Sequence, residues 1–149
     1  MTSSYLLFRI ANRLFGVKLQ GAIEILAWRR SRPVPFAYSY IEGIMEYRGI
    51  VYPVIRLAQL LEISRMRPIG FTAIEVNDTP KGQSIILLQE GDKPFGITID
   101  EFVRMAKLED PTDAPTDIKG INAKLVKVTR LEDDQEIIIL GFERLFHAS

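Results

Sequence analysis

Phe15-Gly16-Val17-Lys18-Leu19 is echoed further along the chain by Phe95-Gly96-Ile97-Thr98-Ile99, and that pair decides the architecture. Two more echoes follow in the same order. Ile41-Glu42-Gly43-Ile44 resembles Ile118-Lys119-Gly120-Ile121, and Val54–Leu61 resembles Ile138–Leu145, each of the latter a strand-like run ending in a helical turn with a leucine near its close. The offsets are 80 (15 to 95), 77 (41 to 118) and 84 (54 to 138), so element order is kept while loop lengths drift. Self-similarity of this kind marks a duplicated unit. Each half then holds about five short strands, close to the number that closes a small barrel and removes its exposed edges.

Outward from these segments the chain reads with period two, the spacing of half-buried strands. Leu6, Phe8 and Ile10 alternate with Leu7 and Arg9, and a turn at Asn12-Arg13 leads into Phe15, Val17 and Leu19, which predicts a hairpin. Ala22–Trp28 is an apolar run interrupted by Glu24. As a strand it would set Glu24 on one face with Ala22 and Leu26, away from Ile23 and Ile25. Arg29–Pro35 is a polar, proline-bearing break.

Gly43 to Ile55 holds two apolar runs around Arg48-Gly49, where glycine allows the positive φ of a tight turn. Pro53 predicts that the second of these strands is an edge or ends in a bulge. Leu57, Leu60 and Leu61 share one face of a short helical turn. Phe71–Val76 predicts a strand, and Ser84–Gln89 with Phe95–Ile99 predicts a hairpin around Glu90–Lys93. Phe102–Leu108, Lys124–Arg130 and Ile137–Leu140 predict three further strands, and Phe142–Phe146 a last helical turn. The expectation is an all-β domain over residues 1–149 with two subdomains, roughly 14–70 and 84–140, and terminal segments crossing between them.

At 149 residues and 47% hydrophobic, the chain has material for a real core. Nineteen basic residues balance nineteen acidic ones, which argues against a nucleic-acid binder, whose affinity rests on neutralising phosphates. There are no cysteines, so disulfides and thiolate zinc sites are excluded, and a reducing compartment fits. No signal peptide is visible, and the apolar runs are far shorter than the roughly 20 residues that span a bilayer. The expectation is a cytoplasmic protein with no direct membrane insertion.

The search for catalytic chemistry is negative. The single histidine, His147, lies near the C-terminal end, where side chains are least held in place. No His/Asp/Glu cluster has metal-ligand spacing, and no glycine-rich phosphate loop or nucleophile elbow is present. The carboxylate pairs Glu109-Asp110 and Asp133-Asp134 lie in turn-like segments, where solvated acids are routine. No enzyme, cofactor or metal is expected. The run Trp28-Arg29-Arg30-Ser31-Arg32 suits a solvated loop or half of a protein interface better than a nucleic-acid site. Two residues stand out from the background: Glu24, which could face water or rim a groove, and Arg48, whose planar fork of donors suits several carbonyls or a carboxylate.

These segments together resemble CheW, the adaptor family that couples chemoreceptors to the histidine kinase CheA in bacterial chemosensory arrays. The most specific piece is Gly43-Ile44 leading to Arg48-Gly49-Ile50-Val51-Tyr52-Pro53-Val54-Ile55-Arg56-Leu57. Ala22-Ile23-Glu24-Ile25 is similar to the family's Val-x-Glu-Ile segment, and Phe95–Phe102 to its Gly-Leu-x-Val-Asp-x-Val segment. The resemblance runs from about Tyr5 to Phe146. It implies two five-stranded SH3-like barrels side by side and a non-catalytic role in signal transduction. It also implies two partners: the kinase's regulatory domain, of the same fold, and the helical cytoplasmic tip of a methyl-accepting chemoreceptor. By resemblance the receptor- and kinase-binding residues are Ala22, Glu24, Ile25, Arg48, Gly49, Val51, Ile99 and Phe102, with Ala22, Glu24 and Arg48 tied to receptor coupling.

Three departures stand beside this likeness. Arg56 takes the place of the family's usual Asp, Ala22 that of a valine, and the stretch 65–83 is longer than usual. They leave open a divergent scaffold that binds only one partner, in a gliding or pilus pathway. A small-ligand sensor with a pocket between the barrels is the other alternative.

Overall fold

The computed structural model describes residues 2–61, 83–112, 126–130 and 135–142. Its strands are β1 (Thr2–Ile10), β2 (Arg13–Lys18), β3 (Ala22–Ala27), β4 (Ile41–Tyr47), β5 (Ile50–Arg56), β6 (Ser84–Glu90), β7 (Lys93–Ile99), β8 (Glu101–Glu109), β9 (Val126–Arg130) and β10 (Glu136–Leu140). One 3-10 turn (Leu19–Gly21) precedes β3, and one helical turn, α1 (Leu57–Leu60), follows β5. The three predicted hairpins form. The first turns at Ala11-Asn12, one residue earlier than the sequence pattern predicts, with both residues at positive φ (52° and 66°). The Asp100 carboxylate accepts a hydrogen bond from the Ala11 amide at 2.8 Å, which holds this left-handed alanine in place. The segments Phe71–Val76 and Phe142–Phe146 lie wholly or largely outside the described residues.

The strands form two five-stranded sheets, ordered β8-β1-β2-β10-β9 and β3-β6-β7-β5-β4. Read position by position, the two orders are the same sheet built twice. The hairpins β1–β2 and β6–β7 match at a constant offset of 80: Tyr5↔Lys18 to Ile10↔Arg13 in one, Ile85↔Thr98 to Glu90↔Lys93 in the other. Each sheet also has one parallel pairing at the equivalent place, Ile139 beside Gly16 and Val54 beside Gly96.

The duplication is therefore real at the level of topology, but the division into 14–70 and 84–140 does not describe the sheets. Each hairpin is exchanged: β1–β2 joins β8, β9 and β10, while β6–β7 joins β3, β4 and β5. Pairing is set by register and packing between distant segments, and two similar hairpins can each satisfy either sheet. Pro53 is accommodated because β7 pairs with β5 only from Val54 onward, leaving β5 open on that side at the proline.

The ends of each sheet approach one another. The Thr129 hydroxyl of β9 donates to the Glu109 carbonyl of β8 at 3.2 Å. Beyond β3 the chain continues to Arg32, which exchanges two backbone hydrogen bonds of 2.8 Å with Ile44 of β4. Among the described residues three apolar cores result. The largest lies between the sheets and unites Leu6, Phe8, Phe15 and Ile138 with Ile55, Leu57, Ile86 and Ile97. The first sheet curls over Tyr5, Leu7, Leu108 and Ile139, and the second over Met45, Tyr52, Val54 and Leu87. Residues such as Leu6 and Leu7 are thus buried on opposite faces of one strand, which explains why Tyr5–Phe8 and Ile85–Leu88 are unbroken apolar runs. A Cβ on Gly16 would sit 2.9 Å from Ile139 Cδ1 and 3.2 Å from Leu7 Cδ2, so a side chain there would displace the tips of those two side chains in the first curled core.

Candidate functional site

Arg48 and Gly49 form the tip of the β4–β5 hairpin, with φ of 51° and 81°. Left-handed geometry at both positions gives the turn whose twist matches the flanking strands. It also drives the Arg48 side chain outward. Its guanidinium lies 5.2 Å from the centroid of the Tyr47 ring, and that of Arg29 lies 5.7 Å from the same centroid. Arg29 Nη2 also donates to the Glu46 carbonyl at 3.1 Å. Cation–π contacts at exposed sites are worth about 0.5–1 kcal/mol each, enough to orient two arginines without neutralising them. Ile50 and Val51, next along the hairpin, are each about half exposed.

The β3 residues sit elsewhere. The β3–β6 register shifts between Ala22 and Glu24, a bulge that reverses which face each residue presents. Ala22 and Ile25 consequently pack against the core between the sheets, while Leu26 and Trp28 pack inside the curl of the second sheet. The expected sharing of a face by Ala22, Glu24 and Leu26 is corrected on this point. Glu24 itself is partly exposed.

Ile99 is fully buried in the core between the sheets, so it offers no surface for a partner and acts through packing. Phe102 is half-buried at the margin of the same core. The structure thus gathers Arg48, Gly49 and Val51 on one hairpin and sets Ala22, Ile25 and Phe102 against the inter-sheet core. In sheet order, β6 and β7 separate β3 from β5.

A cleft of about 420 Å³ opens between the sheets near Ala22, lined by Val17, Lys18, Gly21, Leu88, Gln89 and Phe95, with Leu140 and Phe142 beside them. Its floor is stiffened by an edge-to-face contact of Phe95 and Phe142, centroids 4.9 Å apart. Tyr5 also lines it, and its phenol is held above the ordinary range of 10.0 by burial and then by the Asp110 charge, partly offset by a hydrogen bond with Ser3.

A profile of the CheW-like domain family matches residues 4–149. The chain belongs to the CheW-like domain family. It is 29% identical over 141 residues to the chemotaxis protein CheW of Treponema pallidum, covering 93% of this chain and 79% of that one. It is 30% identical over 141 residues to a probable chemotaxis protein CheW of Rhizobium etli, covering 93% and 84%. The crystal structure of the scaffolding protein TtCheW from Thermoanaerobacter tengcongensis superposes with a TM-score of 0.77 at 22% identity, over 98% of this chain and 88% of that one. The CheW-like fold is therefore shared, and the chain is a chemotaxis coupling adaptor. Among the described residues no helix is long and apolar enough to cross a membrane.

Several features of the CheW-like chain escape sequence reasoning. Arg56, the charge reversal, is answered within the fold: its Nη2 lies 3.3 Å from Glu42 Oε1, and Glu42 Oε2 accepts from the Thr98 hydroxyl at 3.0 Å. Arg29 enters the hairpin tip from a segment whose only signal is the arginine run. Asp100, within a family-like motif, serves the first hairpin through Ala11 and also accepts from Gln83 Nε2 at 3.1 Å. The long stretch 65–83 lies almost wholly outside the described residues.

Proposed function

We propose that this adaptor links the helical cytoplasmic tip of a chemoreceptor to the regulatory domain of a CheA-type histidine kinase, binding both in the cytoplasm and performing no chemistry of its own. The observation that carries the reading is the β4–β5 tip, where Arg48 projects into solvent beside half-exposed Val51 on a fold of the CheW-like family. Arginine's planar donors suit a carboxylate or several carbonyls on a helix surface. The cleft that begins at Gly21, just before β3, has Leu88, Phe95 and Phe142 in its lining, which suits the buried face of an amphipathic helix. Glu24, partly exposed on β3, would set polarity and register. Modest contacts of this kind gain strength by replication across an array.

The test is a reconstitution of the chain with the cognate kinase and a receptor cytoplasmic fragment, reading kinase output. Arg48→Ala should lower coupling while the melting temperature stays near wild type, because exposed substitutions usually change stability by less than about 0.5 kcal/mol. Binding of neither partner by the wild-type chain overturns the proposal, and a collapsed melt in Arg48→Ala makes that residue a structural strut.

A further inference from the structure

Arginines line one flank of the second sheet. Beyond β3 the chain runs antiparallel to β4 through Arg29, Arg30 and Arg32, with Arg29 at Tyr47 and Arg32 at Ile44. Arg48 adds a fourth guanidinium at the hairpin end. All four are exposed, and no described carboxylate lies within ion-pair distance of any of them. Of the nearby acids, Glu46 engages Arg29 through its backbone carbonyl, not its carboxylate. The chain's formal net charge is zero, so four unpaired arginines here form a local field and not a general excess.

The segment is fixed. Two hydrogen bonds of 2.8 Å tie Arg32 to Ile44, and Ser31 is buried between them and the sheet. At its far end the loop Pro33–Tyr40 presents apolar groups to solvent: Val34 is 40% exposed, Tyr38 74% and Phe36 fully. Phe36 adopts φ 62°, a left-handed conformation that a bulky residue takes at a cost. The loop is pinned by Ile41 N–H to the Tyr38 carbonyl (2.9 Å) and Arg56 N–H to the Tyr40 carbonyl (2.8 Å), and Tyr38 stacks on Tyr40 at 5.4 Å. A rigid surface that keeps three apolar side chains in water, next to unpaired arginines, is the composition of an interface core and its recognition rim.

We infer that this flank docks an acidic, amphipathic segment of a protein partner, with carboxylates on Arg29 and Arg32 and apolar side chains on Phe36 and Tyr38. Charge complementarity selects the acidic partner, and the line of the patch selects a segment. Ile44 to Tyr47 alone spans about 10 Å of strand, and the apolar loop lies beyond the Arg32 end. A bilayer is flat and favours cations ringed around an inserted tip, whereas here Arg32 stands at Ile44 and Arg29 at Tyr47, leading along β4 away from the aromatic loop. The inference extends the proposed coupling at Arg48 but stands on Arg29, Arg32, Phe36 and Tyr38, which that reading does not use.

The test uses the full chain and a fluorescein-labelled helical peptide of about 18 residues, Leu on one face and Glu on the other, read by anisotropy. A Lys-for-Glu counterpart and phosphatidylglycerol vesicles are titrated in parallel. The acidic peptide should bind, bind several-fold more weakly at about 0.3 M than at 0.05 M salt, and lose about tenfold in affinity in Arg29→Glu/Arg32→Glu. Phe36→Ser/Tyr38→Ser should weaken binding without changing its salt dependence. If the glutamate pair proves unfolded by its melt, Arg29→Gln/Arg32→Gln carries the measurement. Equal binding of the Lys peptide, unchanged affinity in the arginine variants, or binding to vesicles but not to the acidic peptide overturns the inference. Coupling lost in Arg48→Ala bears on the proposed function alone, and peptide affinity lost in the Arg29 and Arg32 variants bears on this flank alone.

Discussion

Gly43→Ala should detach the arginine-bearing segment from β4, and its cost can be worked from the contacts at that position. A Cβ there would lie 2.5 Å from the Arg32 carbonyl oxygen, 2.6 Å from Ser31 Oγ and 2.8 Å from the Arg32 carbonyl carbon. Relaxed carbon contacts lie near 3.5–4.0 Å, so the opposing backbone must retreat by about 1 Å. Two of the three neighbours are main-chain atoms, and no side-chain rotamer change can make that room. The move breaks the reciprocal Arg32–Ile44 hydrogen bonds, each worth about 0.5–1.5 kcal/mol net. Replacing a strand glycine returns about 0.5–1 kcal/mol through lost backbone freedom in the unfolded chain.

The net loss is therefore about 0–2.5 kcal/mol, with a central value of about 1 kcal/mol, which at this chain length lowers the melting temperature by roughly 2–4 °C at that central value. Trp28 reports the same event, because it is the single tryptophan, directly precedes this segment and packs inside the curl of the second sheet. Urea melts followed by Trp28 emission should show a lower midpoint with an unchanged slope and a red-shifted native baseline. An equally stable variant with an unshifted Trp28 spectrum would refute the account of Gly43 as the residue that admits the segment.

Further outcomes follow from the same contacts. Asp100→Ala leaves the Ala11 amide without its acceptor and should cost about 1–3 kcal/mol by chemical denaturation, with Asp100→Asn milder because it keeps one acceptor oxygen. Arg56→Asp restores the family's usual residue but sets it beside Glu42, whose side chain is only 13% exposed. A loss near 1 kcal/mol is expected, discounted because Arg56 is half in water, and Glu42→Lys with Arg56→Asp should recover most of it in a double-mutant cycle. Tyr5 titrates above its ordinary value, chiefly because burial disfavours the phenolate. The unfolded chain then loses that proton first, so the Tyr5 contribution is complete below about pH 10 and disappears as pH rises through the folded value. Urea midpoints should fall less steeply above about pH 10 in Tyr5→Phe than in wild type.

Individual strands were legible because turn chemistry and alternation are local: Arg48-Gly49, Gly91-Asp92 and the apolar runs locate three hairpins without knowledge of what they pack on. Partner choice was not. Leu7 and Leu87 occupy equivalent places in their hairpins, so nothing in either hairpin says which half will receive it. A one-residue bulge was equally invisible, and it alone moves Ala22 from the side of Leu26 to the side of Ile25. Ile99 sits in a family-like motif, yet its place is the core between the sheets, and motif residues can be constrained by packing as strongly as by a partner. Arg56 looked like an altered surface until the β4–β5 register, Ile41 opposite Ile55, brought Glu42 alongside it. The reversal is then a matter of internal pairing, and it counts less against the inherited partner surface than its isolated reading implies.

The exchanged hairpins bear on how such an adaptor can work. If each half of the chain had built its own sheet, the two would meet only across a late interface and could rock against one another. Here the core between the sheets is threaded by the exchange itself: Phe8 and Phe15 enter it from a hairpin whose sheet is completed by the C-terminal strands, and Phe95 and Ile97 from the reciprocal one. Separating the sheets would pull each hairpin away from the chain segments that lead into and out of it. A close-packed core of this kind transmits strain and does not absorb it. Partners seated at Arg48 and beside Ala22 would therefore be held at a fixed spacing. Under the proposed function, that spacing should be set most strongly by residues like Ile99, which are buried in the core between the sheets.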